Sequence, residues 1–443
     1  MQTPPVARIL FLGGAEAIGA SCAVLDLDRT RLVIDCGVRV QGPQAERLPD
    51  LARLEDGPPP AAVLVTHAHL DHIGALPVLA QRFPAAPVYA TPPTIALLRI
   101  QLLDALKIME MEAESEGEMP LYSRAAVEAL LQRTIPVAPS TPFEVAPGGL
   151  RATFFLSGHI LGAAAVGIEG PSGRVLFTGD VSTAPQRTIP GMAPPRFRPH
   201  LVVSESTYGA RLHAARSAEE ERLARMVGET VARGGKVLIP AFAIGRAQEV
   251  ILTLIQAMLT RRLQPFPVHV DGLVRNVCRV YREFPGYLQP RLRRRVERFG
   301  DPFFDVLENV RPVAGEKRRF EILDGPPCAV VASSGMLTGG ASPIYARALL
   351  DGPEHLIAIT GYQDEESPGR KLLEAAEGRS GSIAIGGRDC AVRCRVEKYA
   401  LSAHADGNGL AGLIRSLAPS DTLLVHGGAE ARRELGGLLA RER

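Results

Sequence analysis

The stretch Thr66-His67-Ala68-His69-Leu70-Asp71-His72 directly follows the apolar run Ala61-Ala62-Val63-Leu64-Val65. Three imidazoles and one carboxylate in six positions are hard to pack as ordinary core, because each buried ring would need its own hydrogen-bond partner. His67 and His69 alternate, so both point to the same side of an extended segment. The carboxylate and the third imidazole follow where the chain turns into a helix, and they can face a second ion. The spacing therefore predicts a loop that binds two metals, with a solvated polar loop as the alternative.

The composition is that of an ordinary soluble globular protein. A length of 443 residues favours two domains over one core, and 46% hydrophobic with 22% charged residues fits a folded chain. A net charge of +2 excludes a polybasic nucleic-acid binder, so any surface that follows phosphates must be local. The run Arg291-Leu292-Arg293-Arg294-Arg295 is one candidate, and a solvated helix face explains that run equally well.

The cysteines indicate a reducing compartment. All six are scattered, and the one close pair, Cys390 and Cys394, has the spacing C-x3-C, which fits neither a zinc ribbon nor a compact disulfide framework. The first residues lack a basic region followed by an apolar stretch, and no apolar run is long enough to span a bilayer. We therefore expect a cytoplasmic protein without a membrane partner.

The apolar pattern changes twice along the chain. From about residue 7 to 205, short apolar runs end in Gly, Asp or His, which is typical of buried strands. From about residue 208, amphipathic helices alternate with parallel-type strands, and after about residue 378 the first pattern returns. This order predicts an α/β protein with one domain formed by residues 1–207 and 379–443, interrupted by a second domain at residues 208–378.

Residues that suit metal ions follow apolar strand-like runs directly or within two positions: Asp35, His67, Asp180, Glu205 and His426. The ends of strands in a packed sheet are rigid points from which distant parts of a chain can reach one spot. Donor counting gives two sets: His67, His69 and His159 for one ion, and Asp71, His72 and His426 for the other. We expect Asp180 to bridge both ions. Oxygen and imidazole donors without cysteine suit zinc and also manganese.

Two further predictions concern side chains near the metals. Asp35 is expected to orient a ligand histidine, with a turn aspartate at a strand end as the alternative. His404, in a loop that leads into a helix, is expected to protonate the departing oxygen, with Glu205 fixing its orientation and raising its pKa. The alternative for His404 is a purely structural role.

Three glycine-rich segments in the second domain are candidate phosphate-binding loops, because the backbone N–H groups at the start of a helix form an anion site. Each segment taken alone is better explained as a structural turn, but three in one domain favour substrate binding. The candidate residues are Ser333, Ser334, Gly335, Gly339, Gly340, Arg246, Gln363 and Arg370.

Together these motifs resemble the β-CASP nucleases of the metallo-β-lactamase superfamily, over nearly the whole chain. The branch includes the cleavage and polyadenylation specificity factor endonuclease, its archaeal counterparts and bacterial RNase J. The resemblance equates Asp35 with motif 1, His67 to His72 with motif 2, His159 with motif 3 and Asp180 with motif 4. It equates Glu205 with motif A, His404 with motif B and His426 with motif C.

The resemblance implies an αββα sandwich that holds two zinc ions, with the β-CASP domain inserted after motif A. Histidine at motif C accompanies the RNA-processing members, so RNA is the expected substrate and partner. The implied products are a 3′-hydroxyl and a 5′-phosphate, with Asp71, Glu205 and His404 as the catalytic residues. Endonucleolytic cleavage is expected, and a homodimer is allowed. No KH-type extension precedes the first motif and no long domain follows His426, as in the short bacterial members of the branch.

Other functions are compatible with the same motifs. The enzyme could be a 5′-3′ exoribonuclease, or it could hydrolyse DNA, another phosphodiester, or a small ester or thioester. The inserted domain and His404 argue against a small substrate. A non-catalytic RNA-binding or scaffold subunit is the third option, although every expected ligand is present. Turnover on RNA, DNA and a generic phosphodiester, together with the metal content, discriminates among these options.

Overall fold

The computed structural model describes residues 7–40, 46–146, 149–378 and 381–441. The chain divides into two compact units. The first unit comprises Met1–Pro185, Pro190–Leu212 and His404–Arg443, and the second comprises Gln186–Ile189 and His213–Ala403. The domain boundaries predicted above, after residues 207 and 378, stay a prediction.

The first unit is built from many short strands and several helices. Its strands are β1 (Arg8–Gly13), β2 (Cys22–Leu27), β3 (Thr30–Ile34), β4 (Ala62–Leu64), β5 (Val88–Ala90), β6 (Thr134–Pro136), β7 (Phe143–Ala146), β8 (Leu150–Leu156), β9 (Ala164–Gly170), β10 (Gly173–Phe177), β11 (Leu201–Glu205) and β20 (Asp421–Val425). Its helices are α1 (Leu70–Ile73), α2 (Leu76–Arg82), α3 (Pro92–Glu116), α4 (Arg124–Arg133), α12 (Gly407–Leu417) and α13 (Ala429–Ala440).

These strands form two sheets that share one core. One sheet has the order β1-β2-β3-β4-β5-β6 and the other the order β20-β11-β10-β9-β8-β7. Leu25 and Leu32 of the first sheet and Phe154 and Val166 of the second are almost fully buried in the same apolar cluster. Helices α12 and α13 cover the opposite face of the second sheet. Helices α1 to α4 lie between and beside the strands of the first sheet in the sequence. The layers are therefore αββα. This confirms the predicted fold class.

The sequence explains where the longest helix of this unit begins. Thr91 is extended, and its hydroxyl accepts from the backbone N–H of Thr94, so it caps the amino end of α3. Prolines occupy the first two helical positions, where no intrahelical N–H bond is lost. Gly117, in the left-handed conformation, ends the helix.

The second unit alternates strands and helices. Its elements are α5 (Arg216–Ala232), β12 (Val237–Pro240), α6 (Arg246–Leu259), β13 (Val268–Asp271), α7 (Val274–Glu283), α8 (Pro290–Phe299), β14 (Val310–Pro312), α9 (Glu316–Asp324), β15 (Ala329–Ala332), α10 (Ser342–Leu349), β16 (Leu356–Ile359), α11 (Pro368–Ala376), β17 (Ser382–Ile385), β18 (Arg388–Ala391) and β19 (Arg395–Lys398).

Its main sheet has the order β14-β13-β15-β12-β16-β19, and all of its pairs are parallel. Strands β12, β15 and β16 are buried throughout, as expected for a parallel sheet covered by helices. The loops that follow these three strands leave the same edge of the sheet, and ligands bind at such edges in open α/β sheets. An inserted α/β domain was predicted, and this unit has that architecture.

The structure also bears on membrane-spanning helices and on the cysteines. Within the described part of the chain, no helix is both long and apolar enough to cross a membrane. All six cysteines are free thiols, and five of them are buried.

Candidate metal centre

The histidine-rich loop leaves the carboxyl end of β4 and enters α1, with His69 as the residue that precedes the helix. The neighbouring strand β3 ends at Ile34, and Asp35 follows it in the left-handed conformation, with φ of 59°. Such a backbone is uncommon for a residue other than glycine, and strained positions of this kind cluster at functional sites. Gly37 lies against the same loop, where a Cβ atom would stand 1.7 Å from the carbonyl oxygen of Asp71. A side chain at position 37 would therefore displace the loop.

The first group of donors consists of His67, His69, His159 and Asp180. One ligand atom from each lies within 4.8 Å of the others. His67 Nε2 and His159 Nε2 are both 3.5 Å from Asp180 Oδ2, and His159 Nε2 is 3.1 Å from His69 Nδ1. Converging imidazole nitrogens beside a carboxylate are donors that suit a divalent metal ion.

The second group consists of Asp71, His72 and His426, again with ligand atoms within 4.8 Å of one another. His426 Nε2 is 3.2 Å from Asp71 Oδ2, and His72 Nε2 is 3.7 Å from the same oxygen. His426 follows β20 and has a φ of 54°, so it repeats the strained strand end of Asp35.

Asp180 lies between the two groups. Its Oδ2 faces His67 and His159, whereas its Oδ1 is 3.5 Å from His72 Nε2 and 3.4 Å from His426 Nδ1. One carboxylate therefore offers one oxygen to each set of donors.

The buried polar atoms of the cluster fit metal ions. Among the described residues, His67 Nε2, His72 Nε2 and Asp180 Oδ1 are buried without a hydrogen-bond partner. Leaving each such atom unpaired costs about 1–3 kcal/mol. A cation is the simplest partner for two imidazole nitrogens and a carboxylate oxygen that point into one space. The cluster can therefore hold metal.

A second layer of hydrogen bonds fixes these side chains. Asp35 accepts from His72 Nδ1 at 2.7 Å, from Thr66 Oγ1 at 2.6 Å and from the Thr66 backbone N–H at 2.7 Å. Thr66 Oγ1 lies 3.0 Å from His67 Nδ1. Asp35 thus lies against His72, and its predicted role in orienting a ligand histidine stays a prediction. The role of Thr66 was not predicted, although its place directly before His67 was a usable signal.

Thr207 contacts a histidine of the second donor group, as Thr66 contacts His67 of the first. The role of Thr207 was not predicted from the sequence either. Its hydroxyl is 3.3 Å from His426 Nδ1 and donates to the His426 carbonyl at 3.0 Å. It lies two residues after Glu205, the residue equated with motif A, so its neighbourhood was visible in the sequence.

Glu205 and His404 form a separate pair beside Asp180. His404 Nδ1 is 3.0 and 2.9 Å from the two oxygens of Glu205, and His404 Nε2 is 3.9 Å from Asp180 Oδ2. Glu205 is itself held by the backbone N–H of Val181 at 2.6 Å. Burial lowers the pKa of His404, but the carboxylates of Glu205 and Asp180 outweigh it and raise the pKa to about 9.

The two donor groups differ in their affinity for protons. Burial holds the pKa of His67 and of His69 below the ordinary histidine value. For His72 and His426, the carboxylates, with Asp180 foremost, overcome the effect of burial and raise the pKa. A metal ion would therefore compete with protons mainly at the second group.

The candidate phosphate-binding residues all lie in the second unit, at or after the carboxyl ends of its parallel strands. Gln363 Nε2 donates to the Gly335 carbonyl at 3.0 Å, which joins two of the three loops. Ser334 Oγ accepts from the Gly339 N–H at 3.3 Å, beside Ser333 and Gly340. Arg246 is buried at the first turn of α6. Arg370 in α11 donates to Glu374 at 2.9 Å. Substrate binding by these residues stays a prediction.

Comparison with known proteins adds three matched regions. Residues 16–207 match the metallo-beta-lactamase superfamily, residues 247–372 match the Beta-Casp domain, and residues 389–443 match a domain described as the Zn-dependent metallo-hydrolase RNA specificity domain. The chain belongs to the β-CASP branch of the metallo-β-lactamase superfamily. The resemblance found in the sequence is confirmed.

Two relatives of this β-CASP protein come from Methanocaldococcus jannaschii. The transcription termination factor FttA is 33% identical over 95% of this chain and 67% of its own length. An RNase J-like protein is 30% identical over 94% of this chain and 91% of its own length. A crystal structure of a protein of unknown function from Enterococcus faecalis V583 has the same fold, with a TM-score of 0.56, 13% identity, and 96% and 95% of the two chains covered.

Proposed function

We propose that this β-CASP protein is a ribonuclease that uses two zinc ions to cut single-stranded RNA internally, leaving 3′-hydroxyl and 5′-phosphate ends. The observation that carries the proposal is Asp180, with one carboxylate oxygen toward each donor group and His404 3.9 Å from it. Seven residues would bind the ions: His67, His69, Asp71, His72, His159, Asp180 and His426. Manganese is compatible with the same donors.

The metals and the surrounding residues would have separate tasks. Bound divalent ions supply Lewis acidity toward a phosphodiester and lower the pKa of water. Asp35 and Thr207 keep the rings of His72 and His426 in their orientations through the hydrogen bonds described above. Asp180, Asp71 and Glu205 give the site a negative charge that metal binding offsets.

His404 is the proposed general acid. Its Nδ1–H donates to Glu205, so Nε2 is the ring nitrogen from which a proton can be given to the substrate. When the bond between phosphorus and the 3′-oxygen breaks, this proton passes to the departing oxygen and yields a 3′-hydroxyl. With a pKa of about 9, the ring is protonated at neutral pH, as an acid must be.

The RNA substrate is supported by two comparisons. Residues 389–443 match an RNA specificity domain, and the RNase J-like relative aligns over 91% of its length. The FttA relative suggests a role in transcription termination, but this chain spans only about two thirds of that protein. A ribonuclease is therefore the better supported activity. A 5′-3′ exoribonuclease, or a hydrolase of DNA or another ester, is the alternative.

The test is cleavage of a 5′-labelled, unstructured RNA by zinc-loaded protein whose metal content has been measured. We expect internal fragments and two zinc ions per chain. His404→Ala should retain the metal and slow cleavage about 10²–10⁴-fold, the usual contribution of a general acid. His200→Ala, at an exposed histidine outside the cluster, should cut like the parent protein.

Two outcomes would redirect the proposal. Release of mononucleotides that depends on a 5′-phosphate would identify an exonuclease. Intact RNA after incubation with protein that holds two metals would refute the ribonuclease, and hydrolysis of DNA or a generic phosphodiester would then name the substrate class.

A further inference from the structure

The strongest local charge on the chain lies in the second unit and is not used by the proposed mechanism. The basic segment, residues 274–299, contains two helices, α7 and α8, joined through a 3-10 turn at Pro285–Tyr287. It has a formal charge of +6, whereas the rest of the chain carries −4. Its charged residues are Arg275, Arg279, Arg282, Glu283, Arg291, Arg293, Arg294, Arg295, Glu297 and Arg298.

Helix α7 separates its arginines from its apolar residues. Val274, Val277, Cys278 and Tyr281 are buried against the unit. The arginines at positions 275, 279 and 282 are exposed and recur at intervals of four and three, so they form a row along the helix. The fold of α7 therefore uses its apolar face, and Arg275 and Arg279 are left for solvent or a ligand.

Helix α8 repeats this arrangement with a shorter buried face. Leu292 and Val296 are buried one turn apart. Arg291, Arg294 and Arg298 are exposed at intervals of three and four and form a second row. The chain after α8 packs back on α7, because Arg282 Nη1 lies 3.5 Å from Asp301 Oδ2 and the rings of Tyr281 and Phe303 are 6.2 Å apart. Both rows thus belong to one folded feature.

Most of this charge is not neutralised within the protein. Arg282 is paired with Asp301, and Arg293 with Glu297 at 2.7 Å. For the other six arginines, the described residues provide no carboxylate within 4 Å. Burial lowers the pKa of Arg295, and the neighbouring Arg291 guanidinium lowers it further. A row of unpaired guanidinium groups is complementary to a chain of phosphates.

An exposed aromatic ring indicates which kind of polyanion the basic segment would bind. Phe299, at the end of α8, has 65% of its surface exposed, and the Arg298 guanidinium lies 5.1 Å from its ring centroid. Unpaired bases stack on such rings, and arginine follows the backbone between them. The bases of duplex RNA are not available for stacking, and an acidic polypeptide has no bases. Neither would gain binding energy from the Phe299 ring as single-stranded RNA would.

We infer that the basic segment is a docking surface for the phosphate backbone of single-stranded RNA, with Phe299 as a platform for a base. The inference rests on the proposed ribonuclease function. It assigns the second unit a substrate contact separate from the predicted glycine-rich loops, and it predicts that long RNA gains affinity that short RNA lacks.

The test variant replaces Arg291, Arg294 and Arg298 with glutamine. The matched control replaces Arg53, Arg124 and Arg233, three exposed arginines outside the segment for which the described residues likewise offer no ion pair. Binding is measured in the His404→Ala background, so that the RNA stays intact. The probes are labelled oligouridylates of about six and about thirty nucleotides, because sites on single-strand-binding surfaces span roughly 4–16 nucleotides.

We expect the test variant to bind the long RNA about ten- to a hundredfold more weakly at about 0.1 M salt. Its slope of log affinity against log salt should fall by about 2, since three phosphate contacts are lost. Affinity for the short RNA, the melting temperature and the control variant should be unchanged. If the triple variant does not fold, Arg275→Gln with Arg279→Gln tests the other row.

The inference and the proposed function fail in different ways. Equal affinity and equal salt slope in the test and control variants, with a parent protein that cuts RNA, would overturn the docking surface alone. Weaker binding of polyglutamate without any change for RNA would overturn it in favour of an acidic protein partner. A parent protein that neither binds nor cuts RNA would refute both.

Discussion

At the scale of single residues, Glu205 decides the protonation of His404. Its two oxygens lie 3.0 and 2.9 Å from Nδ1 of a ring that is otherwise buried. Without such a partner, burial would favour the neutral ring, which cannot act as an acid. The pair is therefore arranged to keep a proton on His404 at neutral pH, and the dependence of cleavage on pH should report it.

We predict that Glu205→Gln shifts the alkaline limit of cleavage. In the parent protein, the Glu205 carboxylate raises the pKa of His404, so kcat should fall only at a pH above the ordinary histidine range. The amide cannot stabilise the charged ring, and the alkaline limit should move toward the ordinary histidine pKa of about 6.5. The measurement is kcat against pH at saturating RNA and zinc.

Glu169→Gln is the control, because Glu169 is a partly exposed carboxylate paired with Arg151 in the same unit. It should keep the parent profile. An unchanged alkaline limit in Glu205→Gln, with two metals bound, would show that His404 is not the acid whose ionisation limits the rate.

Single residues also show what the sequence could and could not predict. The clustered histidines were recognisable because imidazole clusters have few structural uses, and several of them follow a strand-like run. Thr66 and Thr207 were missed because a hydroxyl next to a histidine is common in loops, and its use depends on a partner far away in the chain. That Asp180 would offer one oxygen to each group was expected from carboxylate chemistry, but which rings face which oxygen needed coordinates.

At the scale of elements, strands were easier to predict than the way in which they pair. Short apolar runs identified β3, β4, β10 and β11, because burial on both faces leaves little room for polar residues. Helix α3 begins at Pro92, because Thr91 caps it and prolines fill its first two positions. The placement of β20 beside β11 joins parts of the chain more than 200 residues apart. No local pattern encodes that pairing.

Helix α5 holds the segment that leads to His404. Glu219 accepts from the Ala400 N–H at 2.7 Å, and Arg216 donates to the Ser402 carbonyl. Arg222 donates to Glu397 at 2.7 Å, and its guanidinium lies 4.0 Å from the centroid of the Tyr399 ring. These contacts fix residues 397–402, directly before His404 in the chain.

We predict that Glu219→Gln combined with Arg222→Leu lowers kcat for RNA about tenfold, because small misplacements of a reacting group are costly. KM for RNA, zinc content and melting temperature should change little, since the metal ligands are not touched. Glu221→Gln, on the exposed side of the same helix, is the matched control. A loss of zinc in proportion to activity would show instead that the substitutions disturb the metal donors rather than His404.

At the scale of the whole molecule, the candidate metal centre draws its side chains from distant parts of the first unit. Its donors come from positions as far apart as His67 and His426, on segments from both sheets and the loops between them. A ligand that binds only when these segments are folded stabilises the folded state by mass action. Zinc should therefore act as a structural element of this unit as well as a catalyst.

We predict that the gain in melting temperature from zinc, relative to EDTA, increases with pH. The raised pKa values of His72 and His426 mean that these rings hold protons in the metal-free protein, which stabilise it at low pH and are lost as the pH rises through the raised values. Zinc must displace those protons, so its affinity should rise with pH. Burial lowers the pKa of His67 and of His69, so these rings are already neutral and protons compete little with zinc for them.

At about pH 8 and zinc near a hundred times its Kd, the stabilisation is about 2.7 kcal/mol, or roughly 5–10 °C for a unit of this size. Near pH 6 most of the gain should disappear. The comparison is thermal unfolding at both pH values with buffered zinc or EDTA. Asp180→Asn should abolish the gain and His200→Ala should retain it. A gain that is equal at both pH values, or larger in acid, would mean that protons and zinc do not share the imidazoles of the second donor group.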